Sequence, residues 1–123
     1  QHHGGTPGYW APEIREGGPI SQAGDVYSYG ATLYELLTGR KPQDGQRLDP
    51  SANGDMKAPK IREIIAACCQ SHPNARPSIG EVLRMLDGEG WANIQVERNQ
   101  RQLLLTGAGI VAGLLLLVAA LKK

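Results

Sequence analysis

The strongest amphipathic pattern in the chain lies in residues 25–37, DVYSYGATLYELL. At 100° per residue its apolar positions cover an arc of roughly 220° on a helix. The apolar residues are Val26, Tyr27, Tyr29, Ala31, Leu33, Tyr34, Leu36 and Leu37. We predict that Asp25 caps this helix and that Gly39 ends it. Because only a narrow strip is polar, the helix is expected at the centre of a domain, with partners on several sides.

A single helical turn is predicted to begin at Pro12. Proline suits the first helical position, because the N–H that it lacks would have no partner there. Glu13 suits the positive end of this turn, and residues 17–19, GGP, end it. Residues 43–57 are polar and rich in turn formers, so they are predicted to form a loop.

Two further helices are predicted in the second half of the soluble part. Residues 61–69 place Ile61, Ile64, Ile65 and Cys68 on one face. Ser78 and Glu81 form the S-x-x-E pattern of a capping box, and an apolar stripe at helical spacing follows. No strand pattern is present, so the soluble part is predicted to be all-helical with long loops.

An uninterrupted apolar run occupies residues 103–121, LLLTGAGIVAGLLLLVAAL, and contains no charged residue. As a helix it would extend roughly 28 Å at about 1.5 Å per residue, close to the ~30 Å of a bilayer core. A buried core helix is the alternative, but a helix that is apolar all round needs a larger domain around it. We therefore predict a single transmembrane helix, followed by a basic tail of two residues.

The position of this run predicts a tail anchor in a membrane. The N-terminal region has no apolar segment typical of a signal peptide, so the soluble part is expected to be cytosolic. Gly109 and Gly113 form a G-x-x-x-G pattern that would let two membrane helices approach closely. The pattern also arises by chance in a span rich in Gly and Ala, so a homodimer and a monomer both stay open.

Composition removes several classes of function. Among 123 residues there are 13 basic and 12 acidic ones, so no basic surface for nucleic acid is predicted. Cys68 and Cys69 are adjacent and are predicted to be buried free thiols. No Cys/His spacing matches a zinc site, so no metal site is predicted. The chain begins at Gln1, which means that something was removed or that the chain is a piece of a longer protein.

Three motifs in the chain resemble the protein kinase family. GTPGYWAPE, residues 5–13, resembles the end of an activation segment, with A-P-E at Ala11, Pro12 and Glu13. Residues 25–30, ending in Gly30, resemble the D-x-[WY]-S-x-G start of the central C-lobe helix. Arg76 and Pro77 match the R-P-[ST] of the closing helices. The resemblance covers about residues 4–87 and implies a mainly α fold, the C-lobe portion of a serine/threonine kinase, with the closing pattern of the tyrosine-kinase-like branch.

The resemblance also implies roles for individual residues. Thr6 would help to place the acceptor hydroxyl, and Pro7, Gly8, Tyr9 and Trp10 would form the pocket for the following substrate residue. Glu13 would form a buried ion pair with Arg76, and Asp25 would bind backbone amides of the catalytic loop. Without the resemblance, Glu13 and Asp25 would be helix-end carboxylates and Arg76 a surface charge. The segments expected are a partial kinase domain (1–87), a polar juxtamembrane linker (88–102), a transmembrane helix (103–121) and a basic tail (122–123).

The groups that carry out phosphoryl transfer in this family are missing from the chain. It contains no Gly-rich phosphate loop, no H-R-D and no D-F-G, so no catalytic residue is predicted, and ATP and Mg²⁺ are implied only for a complete domain. Residues 43–60 also lack the usual docking helix. One interpretation is therefore the C-terminal piece of a membrane-anchored kinase with protein substrates. The other is a non-catalytic, membrane-tethered kinase remnant that acts as an interaction module, and an unrelated helical membrane protein is the third.

Overall fold

The computed structural model describes residues 7–50, 58–106 and 117–122, and the regular structure within these ranges is helical, with no strand. The helices are α1 (Pro12–Arg15), α2 (Gln22–Thr38), α3 (Pro59–Cys68), α4 (Ile79–Leu86) and α5 (Trp91–Leu105), with 3-10 turns at Pro7–Tyr9 and Pro73–Ala75. The prediction of a mainly helical soluble part is confirmed for these residues. The chain divides into two compact units, residues 1–88 and residues 89–123.

Helix α2 begins earlier than its sequence pattern predicts. Ser21 has extended backbone angles, and its Oγ accepts a hydrogen bond from the Gly24 N–H at 3.1 Å. Ser21 is therefore the N-cap, and the prediction that Asp25 caps the helix was wrong. Asp25 lies instead in the first turn, where its carboxylate still favours the positive helix end. Gly39 ends the helix in the left-handed conformation, as predicted.

Helix α2 lies in the core of the first unit, although not all of its apolar arc is covered. Tyr27, Ala31 and Tyr34 are buried there. The other buried members of this core are Ala11, Ile14, Leu48 and Ile65. Leu36 belongs to the predicted apolar arc but is 77% exposed, so the arc is not covered at this position.

Helices α2 and α3 come close together where Gly30 of α2 meets the end of α3. A Cβ built at Gly30 would lie 2.6 Å from Cys69 Sγ and 2.7 Å from Cys68 Cβ. Real Cβ atoms essentially never come this close to other heavy atoms, so only glycine fits without rearrangement. The two cysteines thus fill the space that the absent side chain leaves.

Helix α3 begins at Pro59, two residues before the predicted start at Ile61. Its N-cap Ala58 has a φ of 51°, a left-handed conformation that is uncommon for a residue with a side chain. Cys68 is buried and Cys69 partly so, and both are free thiols, in line with the prediction. Burial raises the pKa of each thiol to about 12, which keeps both protonated and unreactive near neutral pH.

Helix α4 begins with the predicted capping box. The Glu81 N–H donates to Ser78 Oγ at 3.1 Å, and the Ser78 N–H donates to Glu81 Oε1 at 2.8 Å. The two side chains thus satisfy backbone N–H groups that no helical carbonyl can reach. This local rule fixes the start of α4 at Ile79.

The second unit contains a helix that the sequence pattern did not predict. Residues 91–105 form helix α5, so most of the predicted linker, 88–102, is helical. Within α5 the Arg98 guanidinium lies 5.2 Å from the ring centroid of Trp91, two turns earlier. Leu103, Leu104 and Leu105 end the helix with exposed side chains.

Within residues 7–50, 58–106 and 117–122, no helix has the length and apolar character that crossing a membrane requires. The predicted span 103–121 includes residues 107–116, which lie outside the described ranges. The predicted packing residues Gly109 and Gly113 lie there too.

Candidate functional site

The 3-10 turn Pro7–Tyr9 contacts the loop that follows α2. Gly8 is buried, and a Cβ at this position would overlap the carbonyl oxygen of Pro42. Glycine is therefore required by the close approach of the two backbone segments. This contact holds the 3-10 turn against the loop after α2.

Tyr9 ties the same turn to α2 through two hydrogen bonds. Its hydroxyl donates to Glu35 Oε2 at 2.6 Å, and its carbonyl oxygen accepts from Ser28 Oγ at 2.7 Å. The bond to the negative Glu35 carboxylate raises the pKa of Tyr9 above its usual value, because the phenol must keep its proton to donate. The turn is thus held from both its side chain and its backbone.

Glu13 in α1 and Arg76, just before α4, form a bidentate ion pair. Arg76 Nη1 lies 2.7 Å from Glu13 Oε1, and Arg76 Nη2 lies 2.8 Å from Glu13 Oε2. The Arg76 side chain is fully buried, whereas the Glu13 side chain is 26% exposed. The predicted pair is therefore present and joins residues 63 positions apart in sequence.

Three backbone carbonyls bind the remaining donors of Arg76. Nε donates to Gln70 at 2.8 Å, Nη1 to Ala23 at 3.0 Å and Nη2 to Ser71 at 3.2 Å. With the two bonds to the carboxylate, all five N–H groups of the guanidinium have acceptors. The guanidinium also lies 5.1 Å from the Tyr27 ring centroid. One side chain thereby links α1, the start of α2 and the end of α3.

The ion pair sets the protonation of Glu13. The hydrogen bonds from Arg76 lower the Glu13 pKa below its usual value and outweigh the opposing effect of partial burial. Glu13 is therefore ionised at neutral pH, and Arg76 is not left as an unpaired buried charge. The network can hold the segment around α1 in one position relative to α2 and α3.

A shallow pocket of about 400 Å³ lies beside the 3-10 turn and α1. Its lining residues are Pro7, Trp10, Pro12, Arg15, Glu16 and Asp44. Across one side, Arg15 Nη1 contacts Asp44 Oδ1 at 2.8 Å and so connects α1 to the loop after α2. We call this the α1 pocket. It combines flat apolar walls with three charged groups, so it is suited to an amphipathic side chain.

Asp25 is not among the residues that the hydrogen bonds given above join to Arg76 within the described ranges. Its side chain is exposed at the edge of an apolar cleft of about 250 Å³ between the start of α2 and α4. The other lining residues are Val26, Tyr29, Ile79, Val82, Leu83 and Leu86. In the described ranges, Asp25 therefore shares a surface with apolar side chains and not with Glu13.

The structure thus brings Pro7 to Trp10, Ala11, Pro12, Glu13 and Arg76 to one end of the first unit, while Thr6 lies outside the described residues. Sequence reasoning missed Glu35, Ser28 and the Arg15–Asp44 pair. The opposite charges of Arg15 and Asp44 were visible, but they are 29 residues apart and no local rule pairs them. The site therefore depends on contacts that only the tertiary fold creates.

The described part of the chain has no metal-binding cluster of three or more His, Cys, Asp or Glu side chains. Two carboxylates of the site, Glu13 and Asp44, are instead paired with arginines. The described residues therefore do not fit a site for Mg²⁺.

Comparison with known proteins places residues 1–86 in the protein kinase domain family. The LRR receptor kinase SERK2 of Oryza sativa subsp. japonica is 31% identical over 78% of this chain. A probable LRR receptor-like serine/threonine-protein kinase of Arabidopsis thaliana is 30% identical over 82% of the chain. The L-type lectin-domain containing receptor kinase VI.2 of Arabidopsis thaliana is 34% identical over 69%.

These relatives are much longer than the chain. The aligned region makes up 22% of the first two proteins and 16% of the third. The similarity therefore concerns one part of each relative.

Proposed function

This chain belongs to the protein kinase family, and we propose that it is the C-terminal part of the catalytic domain of a serine/threonine kinase. Within that domain, residues 7–13 form the end of the activation segment, which presents a protein substrate to the catalytic groups. The serine/threonine assignment rests on GT at residues 5–6 and on the similarity to a probable serine/threonine-protein kinase.

The Glu13–Arg76 network is the observation that carries the proposal. A peptide platform must be held in one position, because phosphoryl transfer depends mainly on positioning and charge stabilisation. The bidentate pair, the three carbonyl contacts and the Tyr9–Glu35 bond supply that rigidity from side chains of this chain. Under this proposal, Glu13 and Arg76 are positioning residues, because neither is a group that reacts.

The ATP and Mg²⁺ sites belong to the rest of the proposed domain. The chain has no Gly-rich loop, no H-R-D and no D-F-G, and its described residues do not fit a Mg²⁺ site. When bound elsewhere in the domain, ATP supplies the phosphoryl group and Mg²⁺ offsets its charge. The part played by this chain is to hold the substrate segment and to stabilise the C-lobe.

The test compares the chain with the full-length protein encoded around it. We expect an in-frame H-R-D and D-F-G upstream, ATP-dependent phosphorylation of serine peptides by the full-length protein, and none by residues 1–123 alone. Replacing the upstream H-R-D aspartate by asparagine is the control for contaminating kinases. If no such motifs lie upstream, the chain is a kinase remnant that acts as an interaction module, and the proposal is wrong.

We also propose that the chain is anchored in a membrane through residues 103–121. The 19-residue run without charge supports this proposal, as do the exposed side chains of Leu103, Leu104 and Leu105 at the end of α5. Arg98 and Arg101 precede the run and Lys122 and Lys123 follow it, as expected for residues at the two lipid headgroup regions. Packing through Gly109 and Gly113 would further allow a homodimer.

A further inference from the structure

We propose that the α1 pocket selects a basic side chain of the substrate peptide, on the C-terminal side of the phosphorylated residue. The inference rests on the proposed kinase function, because it needs the activation segment to carry the peptide. It assigns specificity to Glu16 and Trp10, with Asp44 and Arg15 in support.

The pocket is in the right place for a substrate side chain. Pro7 and Trp10 form part of its lining, and both belong to the segment that presents the peptide under the proposed function. The remaining lining residues come from α1 and from the loop after α2. A peptide that lies along residues 7–10 would therefore pass the mouth of this pocket.

The charges of the pocket leave a negative excess. The lining holds one cation, Arg15, and two carboxylates, Glu16 and Asp44, so its formal charge is −1. Arg15 is already neutralised, because its Nη1 contacts Asp44 Oδ1 at 2.8 Å. Its Nε is buried and makes no hydrogen bond within the described residues, which leaves that donor out of reach of a ligand. Arg15 is thus already paired with a carboxylate of the same pocket.

Glu16 is the carboxylate available to a ligand. Its side chain is exposed and makes no hydrogen bond or ion pair to the residues that the structure describes. Asp44 uses Oδ1 for Arg15, and its side chain is 67% exposed. A cation that enters the pocket therefore finds one uncommitted carboxylate and a second that is only partly used.

The apolar walls favour arginine over a small cation. Pro7, Pro12 and the indole of Trp10 give flat surfaces, and a guanidinium stacks on such surfaces while its edge donates to a carboxylate. The pocket volume of about 400 Å³ leaves room for an extended arginine side chain. An acidic side chain would meet the Glu16 carboxylate and would be disfavoured.

The experiment measures peptide binding to the full chain in mild detergent by fluorescence anisotropy. The peptides contain one serine in an alanine background, with arginine, alanine or glutamate placed in turn at each of four following positions. At one position we expect the arginine peptide to bind about five-fold more tightly than the alanine peptide, and the glutamate peptide more weakly. The preference should weaken at high ionic strength, because the site is open to solvent.

Glu16→Gln should abolish the arginine preference, and Glu16→Arg should reverse it in favour of glutamate. Glu97→Gln is the matched control, since it removes an exposed carboxylate from α5 and should leave the preference unchanged. Circular dichroism of each variant shows whether the helices are retained. These substitutions are at exposed positions, so we expect the helix content of the unmodified chain.

Equal binding of arginine and alanine peptides at all four positions, or binding of neither, would overturn the inference. A preference that survives Glu16→Gln would overturn it as well. The proposed function is tested separately, by measuring whether the full-length protein phosphorylates serine peptides that lack basic residues. Activity on those peptides without any arginine preference would reject the pocket assignment and leave the kinase assignment standing.

Discussion

At the scale of single residues, Arg76 is the most heavily used side chain in the described part of the site. A lysine could keep the positive charge but could not reproduce five donors in a planar fork. Its full burial means that loss of the carboxylate partner would leave an uncompensated charge in the interior. The pair is thus more important for what its disruption costs than for its net contribution to stability.

Replacing Arg76 by alanine in the proposed complete kinase domain should destabilise the fold by about 3–5 kcal/mol. The substitution removes the hydrogen bonds that Arg76 donates to three backbone carbonyls and to the Glu13 carboxylate. Urea denaturation followed by circular dichroism measures the change in the free energy of unfolding. Arg47→Ala, at an exposed position, is the control and should stay within about 0.5 kcal/mol of the unmodified domain. A urea denaturation curve that Arg76→Ala leaves unchanged would contradict the structural role of the network.

The lowered pKa of Glu13 predicts that the stability of the fold depends on pH. Its pKa in the folded protein lies below the usual 4.5, because of the hydrogen bonds from Arg76. A lowered carboxyl pKa adds stability at pH values above the unfolded pKa, and this stability is lost as the pH falls through the folded pKa. We therefore expect the advantage of the unmodified domain over Glu13→Gln to be constant from pH 6 to 7 and to shrink below about pH 4.5. Denaturant midpoints of both proteins, measured across this pH range, test the prediction. A stability difference that increases as the pH falls would contradict it.

At the scale of helices, the contact between α2 and α3 depends on one missing side chain. Gly30 lets Cys68 and Cys69 fill the space against α2, and the two helices pack closely as a result. Replacing glycine by alanine increases the intrinsic stability of a helix. The sign of the stability change at each glycine therefore shows whether the surrounding atoms leave room for a Cβ.

Gly30→Ala should destabilise the fold by about 1–3 kcal/mol, because the new Cβ would meet Cys69 Sγ at 2.6 Å. Gly80→Ala in α4 is the matched control, since its nearest neighbour, Ser78 Oγ, would be 3.9 Å away. Removing glycine there should stabilise the fold by roughly 0.5–1 kcal/mol. Thermal melts of both variants show whether each substitution raises or lowers the melting temperature. If both variants gained stability, the contact would be looser than the structure shows.

Helix boundaries show where local sequence rules are sufficient. The Ser78–Glu81 capping box lies within four residues, and it predicted the start of α4 correctly. At α2, both Ser21 and Asp25 are good cap residues. The structure uses the earlier one, since the helix includes residues 22–24 and Ser21 Oγ accepts a hydrogen bond from the Gly24 N–H. Helix α5 was missed because its first turns lack an apolar stripe and resemble a polar linker.

The contacts that build the candidate site show where local rules end. The Glu13–Arg76 pair was predicted only through the family resemblance, since nothing local links positions 63 residues apart. Tyr9 and Glu35, at a separation of 26 residues, had no such guide and were missed. Pairing over these separations depends on how α1 and α2 pack, which a periodicity argument does not specify.

At the scale of the whole molecule, the chain combines a kinase-like unit with a second unit that contains α5 and the apolar run. The linker between the kinase motifs and this run is helical over residues 91–105, so it is stiffer than a flexible tether. The proposed anchor therefore continues from a regular element.

Alkaline carbonate extraction tests the proposed anchor. We expect the full chain, expressed in cells, to stay in the membrane pellet, because a spanning helix is held by lipid contacts that high pH does not weaken. A variant that lacks residues 103–121 should move to the supernatant and provides the matched control. Release of the full chain into the supernatant would refute a spanning helix.

The hydrogen bonds of the Arg76 guanidinium also have a consequence for the regulation of the proposed kinase domain. A movement that carried Glu13 away from Arg76 would break two charged hydrogen bonds in a buried setting, and it would leave the Arg76 charge without its carboxylate partner. Under the proposed function, the end of the activation segment is therefore held in place by a buried pair of charges, and a regulatory movement has to leave Glu13 bound to Arg76.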